Sequence, residues 1–295
     1  MEKQTISILI STRNRPEALS KCLLSLCRQT VKPFEVIIVD NGPSVETKYV
    51  CERFKNRIPI KYCIEKRRGL SFGRNMCIRL ARGKISAFID DDCVAGPDWL
   101  SNIRRHFLKY TPNGVIGLTR PIDPTSVTSC VEDVYYYRWV LQYIPSLKTV
   151  CQLKSGAVID FRNAAFLSHF IKLFQFNTRL SIYCEDVELG LRLYNKSPRI
   201  FYDPSILVRH NNSDTYKGLF KRNFTVGYNT QLLFNEFGVS VGQIRQSINR
   251  RKWNSYIRAA VCQQKSIHRK IILLITIWIF PLFSRLGRLV CALER

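Results

Sequence analysis

Four short runs rich in β-branched residues punctuate the first ninety positions: Ile6–Ile10 (ISILI), Phe34–Val39 (FEVIIV), Ile58–Ile64 (IPIKYCI) and Ile85–Ile89 (ISAFI). Between them lie stretches with helical spacing. Arg15 to Gln29 carries Leu19, Leu23 and Leu26 on one face, and Ser71–Ala81 follows the same period. Strands that are apolar throughout are buried on both faces, the situation of parallel strands covered by helices. The chain is therefore expected to be α/β, with a mostly parallel central sheet flanked by helices. Ligands of such sheets sit beyond the carboxyl ends of the strands. Polar residues fall at those ends: Ser11, Thr12 and Arg13 after the first run, Asp40 and Asn41 after the second, and Asp90, Asp91 and Asp92 after the fourth.

Further along, VEDVYYYRWVLQYI (131–144) is aromatic and helical in spacing, Lys154–Phe161 is strand-like, and a helix is expected from about Asn163. Ile182–Asn195 (IYCEDVELGLRLYN) has the pattern of a helix opening with acids, and Ile206–Val208 that of a short strand ending at His210. Composition changes near Gly242. From there to Arg295, eleven Lys and Arg face Glu294 alone, a net +10. Ile271–Phe283 (IILLITIWIFPLF) is shorter than the ~20 apolar residues that span a bilayer. Arg269, Lys270, Arg285 and Arg288 flank it, as in an interfacial helix with a basic rim. A buried helix of the main core is the competing reading.

The whole chain has 46 Lys and Arg against 22 Asp and Glu, which points to anionic partners. Eleven cysteines without a Cys-x-x-Cys pair argue against a zinc ribbon or a disulfide framework, and the N-terminal residues lack the pattern of a signal peptide. A reducing cytosol is expected. The charge also admits a non-catalytic protein that binds nucleic acid or an anionic membrane. No RNP-type motif, zinc finger or basic zipper supports nucleic-acid binding, and that reading leaves the acidic clusters without a purpose.

Three consecutive aspartates in so basic a chain need a positive neighbour. On a strand, alternate side chains share a face, so Asp90 and Asp92 can converge while Asp91 points elsewhere. Two carboxylates together suit a hard divalent cation that keeps room for phosphate oxygens. A solvated acidic turn is the plain alternative. Likewise, Glu185, Asp186 and Glu188 in a first helical turn are favoured by the macrodipole alone.

In order and spacing, STRNRPEALSKCLLSLCRQ, EVIIVDNG, GLSFGRNMCIRLARGKISAFIDDDC, GAVIDFRNAAF, CEDVELGLRLY and YDPSILVRH resemble the family 2 glycosyltransferases of the GT-A fold, over roughly residues 5 to 230. That resemblance implies a Rossmann-like nucleotide-diphospho-sugar fold with a C-terminal helical tail. It implies a GT-A catalytic domain over 1–241, with a nucleotide-sugar-binding half (1–120) and an acceptor-binding half (121–241), followed by a basic, partly apolar tail (242–295). Asp90 and Asp92 match the family's Asp-x-Asp motif, Asp92 as the direct metal ligand and Asp90 nearer the ribose. Thr12, Arg13 and Asp40 match positions cradling the nucleoside. Arg74 matches an arginine of the nucleotide pocket, and Asp91 is grouped with these donor-binding residues. Asp186 matches the general base, with Glu185 beside it, and His210 a further ligand to the metal or diphosphate. Implied are Mg²⁺ or Mn²⁺, an inverting hexosyltransferase-type transfer from a nucleotide sugar to a glycan or lipid-linked hydroxyl, and a cytoplasmic enzyme peripheral to the inner membrane face through 242–295. No nucleic-acid partner is expected. Cys77 and Cys184 stand where relatives often carry glycine.

Overall fold

The computed structural model describes residues 4–180, 183–212, 215–244 and 250–293. The chain forms two compact units, Met1–Arg120 with Leu147–His210, and Pro121–Ser146 with Asn211–Arg295. Residues 121–146 thus group with the C-terminal segment, so the compact units do not follow the expected halves or the expected boundary at 241. The reason is a shared apolar core, described below.

In the first unit, β1 (Ile6–Thr12), α1 (Pro16–Cys27), β2 (Glu35–Asp40), α2 (Val45–Phe54), β3 (Ile60–Ile64), α3 (Leu70–Leu80) and β4 (Ile85–Ile89) alternate as the sequence pattern requires. They are followed by β5 (Cys93–Ala95), α4 (Trp99–Tyr110) and β6 (Gly114–Pro121). After α5 (Val127–Val140), which belongs to the second unit, come β7 (Cys151–Gln152), a 3₁₀ turn at Gly156–Val158, β8 (Asn163–Leu167), α6 (Ser168–Ile171), α7 (Glu185–Lys196) and β9 (Ile200–His210). The sheet order is β3-β2-β1-β4-β8-β6-β9-β5, with β7 paired to β9. Strands β3, β2, β1 and β4 are parallel neighbours; β8 joins β4 antiparallel, with Ile89 opposite Asn163. Register sets Thr12 beside Asp40 and Asp40 beside Ile64, so the polar strand ends share one edge.

Two expectations are corrected here. Lys154–Phe161 is not a strand. Ser155 accepts the Ala157 amide at 3.1 Å, and the backbone tightens into the 3₁₀ turn. The segment from Asn163, expected to be helical, is β8. Asn163 bonds across the sheet, its amide nitrogen donating to Leu118 O and Ile206 O while its oxygen accepts from Trp99 Nε1 at 2.8 Å. A polar residue that looks like a helix cap is thus satisfied inside a sheet.

The second unit holds α5, α8 (Tyr216–Glu236), α9 (Val241–Ile244), α10 (Arg250–Gln263) and α11 (Ile267–Leu293). Cys130, Val131 and Val134 of α5 pack with Leu219, Ala260, Leu273, Ile277 and Phe280 in one core. Phe220 stacks on Phe283 at 4.3 Å, and Tyr135 donates to Ile277 O at 2.7 Å. The apolar segment expected at 271–283 lies inside a longer helix that continues through Pro281.

Candidate active site

The chain leaves β4 at Ile89 and turns, Cys93 N donating to Asp90 O at 3.1 Å. A turn, not strand alternation, therefore separates the three aspartates. Asp91 is fully buried; Asp90 and Asp92 are partly open. Thr12 Oγ1 donates to Asp91 Oδ2 at 2.7 Å, and Arg15 Nη2 lies 3.0 Å from Asp91 Oδ1. Arg15 also pairs with Asp92. Burial pushes the Asp91 carboxyl up, with Arg15 opposing and the neighbouring aspartates reinforcing the shift.

Asp90 has a different partner. Arg74, on α3, donates to Asp90 Oδ1 and to Glu185 Oε1, both at 2.9 Å. Its guanidinium is almost wholly enclosed, 5.3 Å from the Phe176 ring centroid and 5.9 Å from that of Phe161. Gly69 starts α3 at φ 137°, a backbone that other residues rarely adopt. Ser71 and Asn75 then tie α3 to Leu180 O and to the Phe176 backbone, the segment leading toward α7.

Helix α7 opens with the acid pair. Expected helical residue Ile182 lies outside the described residues. Cys184 caps the helix at φ 65° and Tyr183 precedes it at φ 63°, both in the left-handed region where a glycine would sit without strain. Farther along, Gly190 packs against Gly156 so closely that a Cβ on Gly156 would stand 1.8 Å from Gly190 O. Glu185 Oε2 is buried without a hydrogen-bond partner among the described residues. Burial raises the Glu185 carboxyl, helped by the charge of Asp186; burial also raises Asp186, helped by the charge of Asp160. Asp186 Oδ1 accepts the Val187 amide at 2.8 Å.

His210 ends β9 opposite Cys93, which brings Nε2 to 3.5 Å from Asp92 Oδ1. Arg162 Nη1 is 3.4 Å from Nδ1, and because arginine only donates, this contact assigns the hydrogen to Nε2. Arg162 also bonds Asp160 at 3.0 Å. Of the expected donor-pocket residues, Asp40 is buried, accepting from Gly42 N at 3.0 Å and Tyr62 Oη at 2.9 Å. Arg13 lies over Gly42, where an added Cβ would meet its Cγ at 2.7 Å.

The structure thus gathers Asp90, Asp91, Asp92, Glu185, Asp186 and His210 in one linked network, with Thr12 attached through Asp91. Arg15, Asp160 and Arg162 were not singled out from sequence. Asp160 and Arg162 lie in GAVIDFRNAAF, and their charges were the available signal. Six carboxyls thus face three guanidiniums, leaving capacity for more positive charge. Among the described residues no three acidic, histidine or cysteine side chains form a closed metal cage. The partly open Asp90 and Asp92 fit a dication that takes its remaining ligands from phosphate and water, as Mg²⁺ commonly does.

The sequence profile of Glycosyl transferase family 2 matches residues 7–176. Hyaluronan synthase of Pasteurella multocida is 31% identical over 147 residues, covering 49% of this chain and 15% of that protein. The chain spans no more than about a third of the length of the curated relatives it matches. Among solved structures, mannosyltransferase PcManGT of Pyrobaculum calidifontis, in complex with GDP-Man and Mn²⁺, superposes with a TM-score of 0.63 at 13% identity, over 100% of this chain and 87% of that one. S. aureus TarS 1–349 gives 0.58 at 15% identity, over 96% and 88%. These likenesses establish the GT-A fold.

Proposed function

This chain belongs to the family 2 glycosyltransferases, and from that premise we propose that it transfers a sugar from a nucleoside-diphosphate donor to a hydroxyl of a glycan or lipid-linked acceptor, with inversion. The observation that carries this reading is the turn Asp90–Asp92 linked through Arg74 to Glu185 at the carboxyl edge of the parallel strands. Thr12, Arg13, Asp40 and Arg74 form the donor side. Asp92 and Asp90 would hold Mg²⁺ or Mn²⁺, which when bound supplies positive charge to the leaving diphosphate. His210, with its hydrogen on Nε2, would serve there as a hydrogen-bond donor to Asp92 or to the diphosphate, and not as a metal ligand through that nitrogen. Asp186 takes the acceptor proton, its affinity for that proton raised by burial. Glu185 Oε1 keeps Arg74 in place. One base suffices for direct displacement. The test is a thermal-shift screen of nucleotide sugars with and without Mn²⁺. A donor that binds the folded state raises the melting temperature in a metal-dependent way; no shift with any donor would remove the assignment.

The membrane reading also gains physical support. Helix α11 has 27 residues, about 40 Å at 1.5 Å per residue, long enough to cross a bilayer. It packs along α8, however, against which Gly227 and Gly287 allow backbone contact: a Cβ on either would come within 2.0 Å of a carbonyl oxygen. Lys217, Lys221 and Arg222 fall in the first two turns of α8 and Glu236 at its end, and Arg285 and Arg288 fall on α11, so charge is spread along the pair. We read the pair as lying on the membrane surface with these charges in water. The exposed stripe Ile271, Ile275, Trp278, Leu282, Leu286 and Leu289 follows one helical face, and Trp278 is 81% exposed. This face enters the boundary of the cytoplasmic leaflet while the basic rim meets anionic lipid. Wild-type protein should sediment with phosphatidylglycerol vesicles, and W278E/L282E should stay in the supernatant with an unchanged melting temperature. Equal sedimentation of both would remove α11 as the anchor.

A further inference from the structure

Arg15 occupies the ground that the proposed dication needs. It stands immediately before α1, its carbonyl accepting from Leu19 N at 3.0 Å and its φ of −134° set outside the helix, with Pro16 next. From there the guanidinium reaches Asp91 Oδ1 at 3.0 Å and pairs with Asp92. Two of the three arginines of this network differ sharply in freedom. Arg74 is 6% exposed and enclosed by two phenyl rings, whereas the Arg15 side chain is 48% exposed. One is built in and the other can leave. Asp91 does not depend on Arg15 alone, because Thr12 also donates to it.

We propose that Arg15 is an exchangeable counter-ion, which neutralises Asp92 before the donor arrives and passes to a diphosphate oxygen when a dication takes its place. This inference rests on the reading above that Asp92 binds the metal. Its consequence is coupling. Were a dication bound alone, the Arg15 guanidinium would move into water and lose a charge-assisted bond that nothing replaces. With a nucleoside diphosphate present as well, Arg15 would gain a new two-pronged anionic partner. Arg15 therefore makes the metal and the nucleotide bind cooperatively and holds the aspartates neutralised between turnovers.

The test is the affinity for Mn²⁺, followed by its paramagnetic resonance signal, alone and with saturating UDP or GDP. Arg15→Gln is expected to bind Mn²⁺ alone about fivefold or more tightly than wild type, the lower range of typical coupling. The enhancement by nucleotide should shrink by at least the same factor. A simple field effect of the lost charge would tighten Mn²⁺ equally with and without nucleotide, leaving the enhancement unchanged, and would overturn the proposal. Weaker Mn²⁺ binding by the variant would overturn it as well. Wild-type protein that binds no Mn²⁺ with either nucleotide would instead defeat the metal reading itself, and this inference with it. Should Arg15→Gln fail to fold, Arg15→Met carries the same test, since it also removes the charge while keeping most of the side chain's length.

Discussion

Asp186→Asn is expected to lower kcat by about 10²- to 10⁴-fold, the usual contribution of a positioned base, while the donor binds with near wild-type affinity. Asparagine preserves the shape and can still accept the Val187 amide, so α7 keeps its first turn. What it cannot do is take a proton. Arg74, which joins Asp90 to α7, bonds Glu185 and not Asp186, so the proposed nucleotide pocket keeps its arginine. The pH dependence follows from the same geometry. A base must be ionised to act, so with Asp186 as the proposed base activity is expected to rise with pH through the pKa of that carboxyl, which burial and then the Asp160 charge hold above the ordinary carboxylate range. Asp160→Asn removes the second of these causes, and the acidic limb of the rate profile should move to lower pH. Calorimetry showing lost donor affinity in Asp186→Asn, with kcat preserved, would reassign Asp186 to the donor pocket.

Much of the sheet is legible because its strands are apolar on both faces. β1, β2 and β4 could be placed within two residues, and a strand that turns polar at its end announces a ligand edge. What escaped notice were elements whose pattern depends on partners far along the chain. β8 is NAAFL, weak in β-branched residues, and becomes a strand only because β4 and β6 flank it and Asn163 finds bonds on both sides. The 3₁₀ turn at Gly156 likewise owes its place to Gly190, a close approach with no local signal.

The site divides along the same line. Residues at strand ends and the acid pair of α7 stand out as charges in marked positions. Arg15 did not, since it precedes a proline at the start of a helix, where a solvated arginine is ordinary. Its meaning comes from Asp91 and Asp92, some 77 positions later. The sequence question of what balances three aspartates thus has a two-part answer: guanidiniums from α3 and from the start of α1 do so in this structure, and the dication is proposed to act in their company.

Asp92→Asn is expected to reduce turnover by about 10³-fold, near 4 kcal/mol of lost transition-state stabilisation, the scale of removing one well-placed electrostatic partner from a leaving group. The amide keeps the volume and can still accept from Arg15 or His210, but brings no charge to a dication. Folding should not suffer in proportion. The Asp92 charge is one of the causes that push the buried Asp91 carboxyl up, so its removal relieves repulsion while weakening one pair to a half-exposed arginine. Near-wild-type melting without ligands, together with loss of the Mn²⁺-dependent shift by nucleotide, is therefore the expected signature. Loss of activity with a collapsed melting temperature would assign Asp92 to the fold. Activity near wild type at saturating Mn²⁺ would show that leaving-group charge is met elsewhere, and of the described residues the enclosed Arg74 would then be the first to examine. That second outcome is separable by experiment, since Arg74→Lys keeps the charge but cannot bridge Asp90 and Glu185 with the same fork.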